Sequence, residues 1–297
     1  MMDNYGFYTG KSFDAYEFFG CHTDENGAVF RVFAPAAVRI SVIGEFNGWQ
    51  DTPMNKIGDG NFWAVYIEGV KPGQMYKYKI YKPDGSCMDH CDPYGYGMEL
   101  RPASASIVRN LYGYEFQDDA WMKKRSNGVA SALNIYEIHA GSWKKPQNGW
   151  YRYDELAMQL VPYLKEYGYN YIELLPIGEH PCDESWGYQC SGFYSPTSRY
   201  GTLDDYKKMI DILHHNDIGV IMDFVPVHFA VDAYALAKFD GTALYEYPHK
   251  DVGNSEWGSC NFMHSRGEVR SFLQSCANYW LKEYHVDGLR MDAISNM

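Results

Sequence analysis

With 297 residues, 46% hydrophobic and 22% charged, the sequence has the length for about two globular domains and the apolar content for a sizeable core. A net charge of −12 argues against nucleic acid or an anionic membrane surface as a partner and is compatible with a neutral substrate. No apolar run approaches the ~18 residues of a membrane span.

Met1 to Tyr5 has neither the charged nor the apolar region of a signal peptide. The seven cysteines, Cys21, Cys87, Cys91, Cys182, Cys190, Cys260 and Cys276, are odd in number and show no C-x-x-C or Cys/His zinc spacing. Neither a disulfide framework nor a metal is expected, and a reducing cytoplasm is the expected location. Aromatic residues make up 17% of the chain, with 27 Tyr and 8 Trp, which suits stacking on sugar rings and ordinary core packing equally.

In chain order, residues 1–13 read as an N-terminal extension and 14–112 as an all-β unit. Ala28–Ala34, Val38–Ile43, Asn61–Ile67 and Gln74–Tyr81 are short Val-, Ile-, Phe- and Tyr-rich runs divided by turns, as in a β-sandwich. Tyr76-Lys77-Tyr78-Lys79-Ile80 alternates strictly, predicting a strand with one buried face. In Phe46-Asn47-Gly48-Trp49 the Asn-Gly pair permits a tight turn that sets Trp49 at a loop edge. Residues 113–131, including Lys123-Lys124-Arg125-Ser126-Asn127-Gly128, have no period and read as a linker.

From residue 132 strand and helix patterns alternate: strands at 132–139, 169–176, 219–226 and 286–293, helices at 154–167, from 203, and at 268–284. This predicts a parallel sheet with covering helices. Asp154 is the expected N-cap of the first helix, and Pro162 should kink it. Thr202-Leu203-Asp204-Asp205 is a capping box for the second. No Gly-rich phosphate loop follows the first strand, and acidic residues end the third and fourth, which favours a barrel over an open nucleotide-binding sheet. Gly288, Arg290 and Asp292 share one strand face, so the guanidinium should hold the Asp292 carboxylate ionised and aimed, as a nucleophile or as a structural ion pair. Asp223 ends the preceding strand, with His228 just beyond. Glu179 reads as solvated or structural, and His214-His215 as favourable charges at a helix end.

The stretch Phe46-Asn47-Gly48-Trp49, with Asp84-Gly85 and Asp92-Pro93-Tyr94-Gly95, resembles glucan-binding β-sandwich modules of carbohydrate-binding family 48. That makes Trp49 a possible glucan platform, although Cys87 stands where glucan-binding relatives carry an aromatic. Asp223-Phe224-Val225-Pro226-Val227-His228 and Asp287-Gly288-Leu289-Arg290-Met291-Asp292-Ala293 resemble two signatures of the α-amylase superfamily. Tyr136–Trp143, Leu174–Pro181 and Ser185-Trp186-Gly187-Tyr188-Gln189 bring the likeness nearest to bacterial 1,4-α-glucan (glycogen) branching enzymes.

The resemblance implies a β-sandwich followed, over 132–297, by the first half, about four βα units, of a (β/α)8 TIM barrel. Asp292 would be the nucleophile, Arg290 would hold it ionised, Tyr188 would lie under the sugar, and Asp223 and His228 would bond the same unit. Val227 stands where those enzymes carry Gly and should restrict the backbone before His228. The substrate implied is α-1,4-glucan such as glycogen or amylose, with no cofactor. The family's general-acid Glu lies outside residues 1–297, so the chain alone is expected to be inactive and its remaining partner to be the C-terminal half of the same barrel. The alternatives are a non-catalytic α-glucan-binding protein, or another superfamily hydrolase of debranching or trehalose-forming type.

Overall fold

A computed structural model describes residues 2–125 and 131–296. The predicted linker stretch Ser126-Asn127-Gly128 lies outside the described residues. The chain opens with α1 (Asn4–Thr9) and then lays down β1 (Gly20–Thr23), β2 (Gly27–Phe33), β3 (Arg39–Gly44), β4 (Thr52–Pro53), β5 (Asn55–Ile57), β6 (Phe62–Glu68), β7 (Met75–Tyr81), β8 (Cys87–His90) and β9 (Ser106–Ile107). All pair antiparallel, in two sheets of order β1-β2-β6-β5 and β4-β3-β7-β8, with β9 also on β7. Along β7 the predicted alternation holds: Tyr76, Tyr78 and Ile80 are buried while Lys77 and Lys79 are not.

The two buried tyrosine hydroxyls need acceptors, and Asp92 supplies one. Its Oδ2 accepts from Tyr76 at 2.7 Å and Tyr78 at 2.9 Å, and its Oδ1 from the Tyr94 N–H at 2.9 Å. Burial pushes the Asp92 carboxyl up to about 6 despite these bonds. Asp92-Pro93-Tyr94-Gly95 thus anchors the inside of the sandwich.

The second unit contains α2 (Asp119–Lys124), β10 (Ile135–Ile138), α3 (Tyr153–Tyr167), β11 (Tyr171–Leu174), β12 (Gly178–Glu179), β13 (Gly192–Pro196), α4 (Leu203–His215), β14 (Gly219–Phe224), β15 (His228–Phe229), α5 (Lys250–Gly253), β16 (Cys260–Asn261), α6 (Gly267–Glu283) and β17 (Gly288–Met291). Its sheet is parallel, in the order β10-β11-β14-β17, so β10 and β17 are the edges. Helix α4 starts on the expected capping box, with Thr202 Oγ1 accepting the Asp205 N–H at 3.3 Å and Asp205 Oδ2 accepting the Thr202 N–H at 2.8 Å. The predicted cap of α3 is corrected. Arg152 occupies the N-cap, its N–H bonded to Glu155 at 3.0 Å, and Asp154 sits in the first turn, where its carboxylate meets Arg152 and Lys208. Pro162 lies inside α3 without ending it.

Among the described residues no helix is long and apolar enough to cross a membrane. The seven cysteines are free thiols.

One apolar core runs through both units. Tyr94 packs on Tyr194 and Phe272 with ring centroids 4.9 and 5.2 Å apart, and Tyr96 stacks on Tyr279 at 5.5 Å. The tyrosines beside Asp92 are therefore the sandwich's wedge into the second unit. At the far end of the sheet, His214 lies buried between two carboxylates, Nδ1 to Asp118 at 2.7 Å and Nε2 to Asp287 at 2.9 Å. The helix-end explanation for His214 is thereby corrected. Exposed His215 is the one that faces its own helix, at the Asp211 carbonyl.

Candidate active site

Strands β14 and β17 run parallel with Asp223 paired to Arg290, which sets the C-terminal end of one against that of the other. Arg290 Nη1 then reaches both acids, Asp292 Oδ1 at 2.6 Å and Asp223 Oδ2 at 3.2 Å. The same Asp223 Oδ2 accepts the Tyr188 hydroxyl at 2.6 Å. His228 follows on β15 and lines the same cavity as Tyr188 and Asp292. The five residues singled out in the sequence are therefore gathered in one place. Trp49 is elsewhere, on the sandwich, 42% exposed after the turn at Gly48.

Tyr188 is delivered by the long connection from β11 to α4, which is tied together by an ion cluster around buried Arg199. Arg199 Nη1 binds Glu179 Oε1 at 2.7 Å, and its Nη2 binds Asp183 Oδ1 at 2.6 Å. Arg101, from the sandwich side of the chain, also pairs with Asp183. Glu179 further accepts the Ser198 N–H at 2.7 Å and the Thr197 hydroxyl at 3.1 Å. Glu179 is thus structural and fully withdrawn from water, not solvated. Gly187 crosses so close to the Pro176 carbonyl that a Cβ would stand 2.3 Å from its oxygen, and its φ of 92° suits glycine. Trp186, just before it, is held at φ 53°, an uncommon conformation for a bulky residue, and is 55% exposed.

The floor of the site is polar and incompletely bonded. Asp223 Oδ1 and His228 Nδ1 are buried without a hydrogen-bond partner. Burial pushes Asp223 up to about 6, outweighing the Tyr188 hydroxyl and Arg290, and Asp292 nearby adds to the rise. Burial also pushes His228 down, so it favours the neutral imidazole. The Tyr188 hydroxyl is raised, by burial first and then by its bond to Asp223, and so remains a donor. Val227, expected to restrict this backbone, is buried, and its carbonyl accepts the Phe262 N–H at 2.9 Å.

Beside these groups lies a cavity of about 490 Å³, lined by Glu184, Ser185, Trp186, Tyr188, Gln189, His228, Trp257 and Asp292. Flat aromatic walls over paired carboxylates suit a polyhydroxylated ring with apolar faces. Trp257 is not legible as a site residue in the sequence, because it lies outside the motifs in the polar turn Ser255-Glu256-Trp257-Gly258. Among the described residues no group of three or more His, Cys, Asp or Glu stands in a metal-binding arrangement.

Residues 18–95 match the family model of carbohydrate-binding module 48 (isoamylase N-terminal domain), and residues 157–251 that of the alpha amylase catalytic domain. Over all of its length the chain is 46% identical to a 1,4-alpha-glucan branching enzyme GlgB of Fusobacterium nucleatum and 45% identical to one of Bacillus caldolyticus. The chain belongs to the α-amylase superfamily. It covers 49% and 46% of those two enzymes, so it spans about half the length of the curated relatives it matches. A solved structure of alpha-amylase type from Salmonella typhimurium superposes with a TM-score of 0.76 at 26% identity, over 94% of this chain and 44% of its own. A pullulanase from Bacillus acidopullulyticus shares the fold, with a TM-score of 0.71 at 21% identity over 94% of this chain and 38% of its own.

Proposed function

We propose that this chain carries the glucan-attacking side of a retaining 1,4-α-glucan branching enzyme, with α-1,4-glucan as its substrate. The observation that carries the reading is Arg290 bridging Asp292 and Asp223 beneath an aromatic cavity whose floor has two buried, unpartnered polar atoms. A glucosyl unit brings the hydroxyls those atoms lack and an apolar face for Tyr188. Asp292, held by Arg290, attacks the anomeric carbon, and the glycosidic oxygen leaves with the bonding electrons, protonated by the general-acid Glu that the resemblance puts outside residues 1–297. Branching then follows when a 6-hydroxyl, rather than water, attacks the anomeric carbon, gives its proton to the same Glu, by then a carboxylate, and releases the Asp292 carboxylate. Catalysis of this kind uses carboxylates and positioning and calls for no cofactor. The exposed indole of Trp49, on the family 48 module, is the second place where a glucan strand would lie.

A donor with a leaving group that needs no acid isolates the attack step. With α-maltosyl fluoride, attack by Asp292 breaks the C–F bond, releases fluoride and leaves a glycosyl ester. The expected result is fluoride release, with a glycosyl adduct on Asp292 by peptide mass spectrometry. Asp292→Asn should show neither. Equal release by Asp292→Asn would remove the nucleophile from this reading.

A further inference from the structure

The turn that carries Trp257 is well fastened, yet the residue is left 48% exposed. The Ser255 hydroxyl accepts the Trp257 N–H at 3.2 Å and the Ser259 N–H at 3.1 Å, and it is bonded to the Ser259 hydroxyl at 2.5 Å. Gly258, at φ 77°, donates its N–H to the Ser255 carbonyl at 3.1 Å. From the Tyr188 loop, Gln189 Nε2 donates to the Trp257 carbonyl at 3.0 Å. The indole also lies against the His228 ring, centroids 5.3 Å apart and planes tilted by 39°. A surface tryptophan with no task would be free to fold down onto apolar neighbours. This one has its backbone tied to the Gln189 segment and its ring against His228, and it lines the cavity together with Asp292.

An aromatic face fixed in advance binds at low entropic cost, because only two side-chain torsions remain to be ordered. Tyr188 already serves the unit that Asp292 attacks, and a cavity of about 490 Å³ has room for more than one hexose ring. We propose that Trp257 is a specificity-determining residue whose indole takes the glucosyl unit next to the one at Asp292, so that the site requires two consecutive α-1,4-linked units. The proposal rests on the reading of the Asp292 cavity as an α-glucan site. Gln189 is a positioning residue in this account, acting through the Trp257 carbonyl.

Calorimetric titration of the 297-residue chain with glucose, maltose and maltotetraose tests it. The wild type should bind both oligosaccharides more tightly than glucose. Trp257→Ala should weaken maltose and maltotetraose about tenfold and leave glucose unchanged, and Trp257→Phe should restore most of the loss. Because the indole is exposed, the variant's melting temperature should match the wild type. Maltose affinity unchanged in Trp257→Ala, or glucose and maltose weakened alike, overturns the proposal. Tyr188→Ala separates this failure from that of the underlying reading. If Tyr188→Ala weakens all three sugars while Trp257→Ala is silent, the cavity binds glucan without Trp257. If neither variant alters binding, or the wild type binds no sugar, the glucan reading of the cavity falls as well.

Discussion

At Asp223 two demands oppose one another. Arg290 and the Tyr188 hydroxyl favour the charged carboxylate, but burial prevails and pushes its pKa up to about 6, above the ~3.8 of an exposed aspartate. Between about pH 4 and 6 the native chain therefore holds a proton that the unfolded chain has released. Stability contributed by this group falls as pH rises through that window and stays low above it. Asp223→Asn removes the penalty without orphaning Arg290, which keeps Asp292 at 2.6 Å. The expected outcome is a melting temperature a few degrees above wild type at pH 7.5 and little different at pH 4.5, read by thermal melts, with sugar affinity reduced. An Asn variant less stable at pH 7.5 would show that the ion pair outweighs burial.

How far such detail is legible depends on sequence distance. Arg290 and Asp292 stand two apart on one strand, so period-two alternation by itself puts them on a common face. Their convergence on Asp223 depends on the register of β14 against β17. No local pattern encodes that register, and only the resemblance anticipates the grouping. Trp257 has neither periodicity nor motif to mark it.

Among the elements, the base of the parallel sheet is tied by α2 together with the end of α4. Trp121 on α2 stacks on the His214 ring at 5.1 Å and donates its Nε1–H to Asp287 Oδ1 at 2.8 Å. Asp118, just before α2, takes His214 and also His285 at 2.9 Å. Asp287 Oδ2 receives the Val220 N–H at 2.8 Å and so joins β14 to the start of β17. What reads in the sequence as an aperiodic linker is here a strap across the strand ends that fixes the same two strands whose far ends carry the site. The role of His214 escapes local reasoning because its partners are 96 and 73 residues away, whereas the helix-end argument looks only four residues along. His214→Leu removes the imidazole that both buried carboxylates share and leaves Asp118 with His285, and Asp287 with Trp121 and Arg125. Leaving buried acceptors short of a hydrogen bond costs about 1–3 kcal/mol, so the urea midpoint should fall. His215→Leu, next to it but exposed, should stay within about 0.5 kcal/mol of wild type. Similar losses for the two would remove the strap from the stability of the sheet.

Across the whole molecule, the abundance of aromatic residues has its explanation at the joint between the two units. Tyr16, Tyr94, Tyr96, Tyr194, Phe272 and Tyr279 are buried together there, so the aromatic excess reports packing at least as much as sugar chemistry. The first residues are part of this joint. Ser271 on α6 donates its hydroxyl to the Phe7 carbonyl at 2.8 Å, and Ser275 accepts the Tyr16 N–H at 2.9 Å. Tyr16 reaches Glu283 at 2.6 Å, and Tyr96 from the sandwich donates to the Tyr16 carbonyl at 2.7 Å. Segment 4–17 therefore lies between sandwich and α6, and the approach is close enough to demand glycine at the helix start. A Cβ on Gly267 would stand 1.8 Å from the Tyr8 carbonyl oxygen, a backbone atom that cannot swing aside. Because one core crosses the joint, the two units should melt in a single calorimetric transition with the van't Hoff enthalpy equal to the calorimetric one. Gly267→Val should pry α1 from α6, lower stability by about 1–3 kcal/mol or more, as overpacking does, and separate the transition into two. Gly113→Ala, where a Cβ comes no nearer than 3.5 Å to any neighbour and φ is not in the left-handed region, controls for the loss of a glycine as such. Two transitions already present in the wild type would mean that the joint is packed without being cooperative, and the N-terminal segment would then serve one unit alone.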